Sequence, residues 1–393
     1  MLTRQGGLVA AASIALVVAG RLFGIFELFL VGAGGVALVI GAAVVVGLTR
    51  VRLDITRELR PARLHAGTPS TVELRASNRG SRRAPPLQLR DAVGAGGQVA
   101  SVVLAPLAPG QTIAAAYALP SERRGVVAVG PLEVRVCDPF GLAASSTAGA
   151  PPTELTVWPS VERLSVLPSG SDDDADVIPD HPEALSTSGD EFYALRAYTE
   201  GDDLRRVHWR ASAKRDDLVV RQDERPSQRR ITIVLDARAG AYRGEAFERS
   251  VSAAASIAVA GVQRRFLVRL VTTAGHNSGF GSGPHHLDAV LSHLAVIELR
   301  DLGHLATLLG TVSRRGDGNG GAVAVLTGDG RSGDGPGGGP GGPCGRATTV
   351  VTFTTGPGAP PGRSGGPVVV DDATSFAGAW DLAMAASKTS AGV

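Results

Sequence analysis

The sequence predicts a membrane helical hairpin, then a β-sandwich, then an α/β domain built on a mostly parallel sheet. Three observations carry this reading. Uncharged apolar runs are confined to the first fifty residues, short alternating runs with turn-formers between them fill the next hundred, and strand and helix patterns alternate over the remainder. The boundaries fall at 1–50 for the hairpin, 51–165 for the sandwich, 166–188 for an acidic linker and 189–393 for the last domain. A chain of 393 residues is long enough for two or three cores. With 44% hydrophobic and 19% charged residues it is not a wholly disordered polymer. Its 52 glycines and 24 prolines predict long loops. A net charge of +2 predicts no strong affinity for nucleic acid.

Leu8 to Gly20 and Leu28 to Leu48 carry no charge, with Arg21 and Glu27 between them. The second run has the length of a full span, because a hydrocarbon core of ~30 Å needs ~20 helical residues. The first reaches that length by borrowing Gly6, Gly7 and Leu22–Phe26. A cleaved signal peptide is the rival reading for the first run, although no clean small-x-small site precedes Arg21. Arg4 precedes the pair and Arg50, Arg52, Arg57 and Arg60 follow it, so the positive-inside bias places both ends, and the soluble domains, in the cytoplasm of a two-pass cell-membrane protein. Two cysteines, Cys137 and Cys344, make no disulfide framework and fit a reducing compartment.

Thr71–Asn78, Leu87–Val93, Ser101–Leu104, Thr112–Leu119 and Val126–Val136 read as strands. Asn78-Arg79-Gly80, Gly94 to Gly97, Pro109-Gly110 and Asp138-Pro139-Phe140-Gly141 supply the turns. Such spacing predicts a small antiparallel sandwich serving as a spacer or partner-binding module. Asp172, Asp173, Asp174 and Asp176 then mark a solvated linker, since the order of an EF-hand loop is absent.

The densest stretch follows: Gly189-Asp190-Glu191-Phe192, Leu195-Arg196-Ala197-Tyr198, Gly201-Asp202-Asp203, Arg205-Arg206-Val207-His208-Trp209 and Ala211–Lys214. Gly201-Asp202-Asp203 fits a helix cap. Leu204, Val207, His208 and Ala211 fall at helical spacing and predict one buried face. The bland reading is a charged cap held by ion pairs. A nucleic-acid surface fits less well, because ten basic residues between Arg196 and Arg230 are offset by seven acidic ones.

Ile231–Leu235 is a β-branched run ending in Asp236. Helix patterns at Ala246–Gln263, Leu287–Leu299 and Phe376–Ala386 alternate with strand patterns at Phe266–Thr272, Ala322–Thr327, Thr349–Phe353 and Val368–Val370. That alternation predicts a sheet covered on both faces, with Asp236 at the carboxyl edge where ligands usually bind.

Residues 189–224, together with the hairpin, the β-rich segment and the Asp138–Gly141 turn, resemble domain-of-unknown-function family 58; Lys214 stands where Arg is more usual. The resemblance implies a membrane-anchored protein whose last domain is similar to the von Willebrand factor type A fold. It further implies partnership with MoxR-type AAA+ ATPases and other membrane proteins, and no established catalytic mechanism. Metal-binding type A domains carry Asp-x-Ser-x-Ser after the first strand, supplying hard oxygen ligands. Here Asp236-Ala237-Arg238-Ala239-Gly240 lacks both hydroxyls and places Arg238 where the cation would sit. The expectation is therefore no working metal site and no cofactor, with an Arg238–Asp236 pair in its place. Thr327-Gly328-Asp329-Gly330 resembles a second metal-site loop, but without a partner loop it is a weak signal.

Other matches fail on context. Gly316–Gly321 has dinucleotide spacing but precedes a strand, and Gly362–Gly366 has nucleophile-elbow spacing with no helix after it. No phosphate loop ending in Gly-Lys-Ser/Thr exists. His285, His286, His293 and His304 lack a Cys or acidic partner at ligand spacing. The leading reading is a non-enzymatic adaptor tethered in the lipid bilayer. Arg196, Tyr198, Gly201, Asp202, Arg205, His208 and Trp209 would form its partner-binding surface or hinge. The competing reading is a cell-envelope enzyme using Asp202 and His208 as an acid–base pair, which would need an activated nucleophile or a metal.

Overall fold

The computed structural model describes residues 2–168, 192–198, 207–209, 212–213, 218–223, 229–314, 321–330, 348–355 and 367–390, apart from residues 50, 62, 95 and 302. The chain divides into two compact units. One comprises Met1–Ser160 with Leu291–Ile297, the other Val161–Val290 with Glu298–Val393.

The first unit opens with two helices long and apolar enough to cross a membrane, α1 (Arg4–Phe23) and α2 (Phe26–Leu48). Their apolar side chains are mostly exposed, Leu8, Leu22, Phe26 and Leu48 among them. The helices pair antiparallel through small residues, as apolar segments without a hydrophobic drive between them must. Gly32 is the closest approach: a Cβ there would meet the backbone N of Val17 at 2.7 Å and the carbonyl of Ser13 at 2.8 Å. Gly24 closes α1 in the left-handed conformation (φ 70°), which lets α2 start after a single residue.

Nine strands follow: β1 (Leu53–Arg60), β2 (Arg63–His65), β3 (Ser70–Asn78), β4 (Leu87–Val93), β5 (Gln98–Leu104), β6 (Thr112–Leu119), β7 (Gly125–Cys137), β8 (Ala144–Ala150) and β9 (Thr153–Trp158). Strands β1-β3-β6 form one antiparallel sheet. A second runs β2-β9-β7-β4-β5 with β8 also on β7, and is antiparallel except where β2 meets β9. Alternate residues point inward, as in Val72, Leu74 and Ala76 of β3, and meet Leu87, Leu89, Val134 and Leu155 in a single core. One ion pair crosses it. Arg57 Nη1 lies 2.9 Å from Asp91 Oδ1, both side chains are buried, and Tyr117 donates its hydroxyl to the same carboxylate at 2.7 Å. The sequence pattern lacks β1, β2, β8 and β9, because charged outward residues such as Arg57, Glu58 and Arg60 mask the alternation.

In the second unit β10 (Phe192–Ala197) and β11 (Val219–Asp223) form a small antiparallel pair. Strands β12 (Arg230–Leu235), β13 (Leu267–Thr272), β14 (Ala322–Gly328), β15 (Thr348–Phe353) and β16 (Val368–Val370) form a parallel sheet in the order β13-β12-β14-β15-β16. Helix α3 (Ala246–Gln263) buries a run of small residues, Ala253, Ala254, Ala255, Ser256 and Ala258, so its backbone approaches the sheet closely. Helices α4 (Pro284–Val296), α5 (Leu305–Arg314) and α6 (Phe376–Ser390) complete the elements. The expected Leu287–Leu299 helix starts and ends three residues earlier, and α5 was not anticipated. Residues 161–167 strap onto this unit: Trp380, fully buried on α6, donates its indole N–H to the carbonyl of Val166 at 2.8 Å, and Asp381 accepts the amide of Ser165 at 3.1 Å. The Gly-rich stretches read as insertions, and the acidic run Asp172–Asp176, lie outside the described residues.

Candidate functional site

Strand β12 stands between β13 and β14, so chain connections leave it in opposite directions and its carboxyl end is the topological switch point of the sheet. Asp236 is the first residue past that end, and its side chain is fully buried. Its Oδ1 accepts the Arg238 Nε–H at 2.9 Å and the Arg238 backbone amide at 3.2 Å. Its Oδ2 accepts Arg238 Nη2 at 2.9 Å. Hydroxyls from the two flanking strands complete the shell: Thr327, near the end of β14, donates to Oδ2 at 2.9 Å, and Thr273, just past β13, donates to Oδ1 at 3.4 Å. Thr273 also accepts the Ala237 amide at 2.8 Å, which fixes the loop that carries Arg238.

This is the place where a hard cation would be held by a carboxylate and hydroxyls, and a guanidinium fills it in bidentate geometry. The Arg238–Asp236 pair expected from the sequence is present. Tyr242 closes the site from below, with its hydroxyl 3.0 Å from Ser250 Oγ and 3.3 Å from the Leu326 carbonyl. Burial pushes that phenol well above its ordinary pKa, so it stays a neutral hydroxyl. The backbone is equally tight, since a Cβ at Gly328 would lie 2.0 Å from the Ala241 carbonyl oxygen. Asp329, in the loop that resembled a second metal site, is exposed, and it is Thr327 of that loop that reaches Asp236. Thr273 and Thr327 were missed as members of the site. The available signal was their shared position at the ends of two strands flanking β12.

The signature residues divide. Arg196 lies on β10 opposite Val220 of β11. The amide of Tyr198 donates to the Leu218 carbonyl and that of His208 to the Val219 carbonyl, both at 2.8 Å. The ends of the signature are thus stitched to the strand that closes it. Ser212 is the clip: its hydroxyl bonds the His208 carbonyl at 3.2 Å and accepts the Val219 amide at 2.9 Å. The helix expected through Leu204, Val207, His208 and Ala211 needs correcting at its described positions. Val207 is in a β-bridge and His208 pairs its backbone with a strand; helical conformation occurs at Trp209 and at Ser212 and Ala213. The physical reason is competition, because β-branched Val207 is buried against the strand pair and not along a helix stripe. Trp209 is 65% exposed. Gly201, Asp202 and Arg205 lie outside the described residues, as do Gly316–Gly320 and Gly362–Gly366, so the proposed Asp202–His208 acid–base geometry does too.

Among the described residues no three His, Cys, Asp or Glu side chains converge as metal ligands. His286 bonds the Val268 carbonyl through Nε2 at 2.8 Å.

With this geometry in view, the family model described as "Protein of unknown function DUF58" matches residues 194–317. The match spans the strand pair, β12 and Asp236, and it supports the resemblance drawn from the signature. No curated protein matches the chain. Solved structures with local likeness include the CARDB domain of a Pyrococcus furiosus protein in complex with di-metal ions, at 12% identity, covering 27% of this chain and 93% of that one with a TM-score of 0.22. β-Glucosidase 3B from Thermotoga neapolitana is 14% identical, covering 28% of this chain and 17% of that one at a TM-score of 0.17. A β-glucosidase from Listeria innocua is also 14% identical, covering 26% and 16% at 0.17. The chain thus spans about a sixth of the length of these two enzymes.

Proposed function

We propose that the chain is a membrane-anchored, non-enzymatic adaptor whose hairpin lies in the cell membrane and whose two soluble parts face the cytoplasm. In this reading the α/β unit is a degenerate von Willebrand factor type A-like domain, and the chain works with an AAA+ ATPase of the MoxR type. The observation that carries it is the Arg238–Asp236 pair. A carboxylate at the sheet's switch point is already neutralised by two charge-assisted hydrogen bonds within its own loop. It therefore has no free valence for a cation, and no charge left with which to activate water. The basic residues flanking the hairpin support the orientation. Exposed Trp209, on a strand pair stitched by backbone hydrogen bonds, supports a docking role, since tryptophan is enriched where interfaces concentrate their energy.

Affinity purification from native membranes in mild detergent tests this, with Arg205→Glu/Trp209→Ala as the control and mass spectrometry as the readout. The expected result is an AAA+ ATPase retained by the unaltered chain and lost in the control. A folded chain that emerges alone in every nucleotide state refutes the adaptor reading.

A further inference from the structure

The hairpin returns the end of α2 to the same side as the start of α1, and both ends land on loops of the β-unit. At the start of α1, Thr3 caps the helix by accepting the Gly6 amide at 2.9 Å. The same hydroxyl donates to the Gly141 carbonyl at 2.6 Å, and the Thr3 amide donates to the Leu142 carbonyl at 2.9 Å. Leu142 and Ala143 pack on Val39, Ala42 and Val46 of α2, so the Asp138–Gly141 turn is fixed against the hairpin on both helices. Asp138 holds the turn rigid by accepting the amides of Phe140 at 2.8 Å and Ala143 at 2.6 Å. That rigid turn nevertheless points Phe140 outward, 66% exposed.

At the end of α2, Thr49 shares an open pocket of about 580 Å³ with Arg83, walled by Pro85 and Pro106. The loop carrying Arg82 and Arg83 is anchored beside the α2 exit. The Arg79 amide donates to the Arg52 carbonyl at 2.9 Å, and the Asn78 side-chain amide donates to the Arg82 carbonyl at 2.9 Å. Arg52, Arg82 and Arg83 are exposed, and among the described residues no carboxylate pairs with them. The nearby Asp54 is already taken by Arg79 at 3.0 Å. Arg4 adds a cation to the first turn of α1, where the helix dipole disfavours positive charge and no acidic residue offsets it.

From this placement we propose that the hairpin-facing end of the β-unit is an anionic-phospholipid docking face. Arg52, Arg82 and Arg83 bind headgroup phosphate at the Thr49 pocket, and Phe140 is seated among the headgroups as an aromatic anchor. The inference rests on the hairpin lying in a bilayer. The occupant follows from continuity and charge. The leaflet that surrounds the two helix ends is the surface these side chains meet, and anionic lipid is the component of it that guanidinium groups select. An exposed aromatic ring at the depth where spans emerge is stable in the interface and costly in water.

The test uses the full chain in nanodiscs of phosphatidylcholine, with or without phosphatidylglycerol, and reads hydrogen–deuterium exchange in segments 79–85 and 138–143. Each arginine held at an anionic surface strengthens attraction roughly fivefold, so phosphatidylglycerol should slow exchange in segment 79–85 by at least about that factor. Arg82→Glu/Arg83→Glu should abolish the slowing. Phe140→Ser should release segment 138–143 and leave 79–85 protected. Equal exchange in the two lipids, or protection that survives in the double variant, overturns the proposal. Protection reproduced in phosphatidylcholine by added inorganic phosphate also overturns it, since the ligand would then be a free anion. Retention of the chain in the discs is scored separately by size exclusion; its loss would refute the membrane reading itself.

Discussion

Replacing Arg238 by alanine isolates the electrostatics of the switch-point site. The variant keeps the Thr327 hydroxyl at 2.9 Å, the Thr273 hydroxyl at 3.4 Å and the backbone amide of residue 238 at 3.2 Å on the Asp236 carboxylate. It loses both guanidinium bonds, each 2.9 Å long, from a carboxylate with no exposed surface. Hydrogen bonds to charged groups contribute about 1.5–3 kcal/mol each, and breaking a buried pair from one side costs about 3–5 kcal/mol. The larger range governs, because the anion left behind is uncompensated. For a unit of this size that cost corresponds to a midpoint lowered by roughly 6–20 °C. The assay is thermal unfolding of the detergent-solubilised chain, followed by protease protection of β12. The double variant Asp236→Leu/Arg238→Met should recover most of the loss, since it removes both charges together. Mg²⁺ should raise the midpoint of Arg238→Ala and leave the unaltered chain unmoved, because the vacated space is lined by a carboxylate and two hydroxyls. A drop below about 1 kcal/mol would refute the reasoning, as would tight Mg²⁺ binding by the unaltered chain that Asp236→Ala abolishes.

The same logic applies between the sheets of the β-unit. Arg57→Ala should cost about 3–5 kcal/mol by stranding Asp91, whereas Tyr117→Phe removes one donor of the cluster and should cost about 1–3 kcal/mol; both are read by chemical denaturation. Gly6→Val should detach the Asp138–Gly141 turn from α1, because a Cβ there lies 1.9 Å from the Leu142 carbonyl oxygen, and exchange in segment 138–143 should rise while α1–α2 pairing persists. Burial works to raise the Asp138 carboxyl, but hydrogen bonds from the amides of Ala143, Phe140 and Leu142 outweigh it and hold the group below its ordinary value. Asp138 therefore stabilises the turn above its unfolded pKa, and that stability is lost as pH falls below about 3.9 and through the folded pKa. Asp138→Asn should remove this dependence, measured as exchange of segment 138–143 against pH.

What the sequence made legible follows from the range of the forces involved. The two long apolar runs, the β-branched run before Asp236 and the turn-formers between strands act locally, and each reappears as an element. Arg238 could be paired with Asp236 because the two are separated by one residue. Thr273 and Thr327 were not legible, since nothing local marks a threonine whose use depends on three strands lying side by side. The Val207–His208 segment misled for the opposite reason. Its helical spacing is real, but the strand pair claims those backbone groups. β1 was hidden because Arg57 reads as a surface charge until Asp91 and Tyr117, far along the chain, are brought across the core to meet it.

The Arg238–Asp236 pair also constrains how the proposed adaptor could recognise a partner. A metal at the edge of a sheet can accept a carboxylate from another molecule, so recognition there is switchable by ion and ligand. Arg238 already spends Nε and Nη2 on Asp236 and is itself buried, so an incoming acidic side chain would first have to break a pair worth several kcal/mol. The switch-point edge is thereby a fixed structural element under the adaptor reading. Docking energy has to come from groups already presented to solvent. In the same unit Trp209 meets that requirement and Asp236 does not, which is why the pull-down control alters Trp209 and leaves the buried pair intact. If Trp209→Ala alone preserves partner retention while Arg238→Ala, still folded, abolishes it, the roles assigned to the two sites are reversed and the switch-point edge is the working surface.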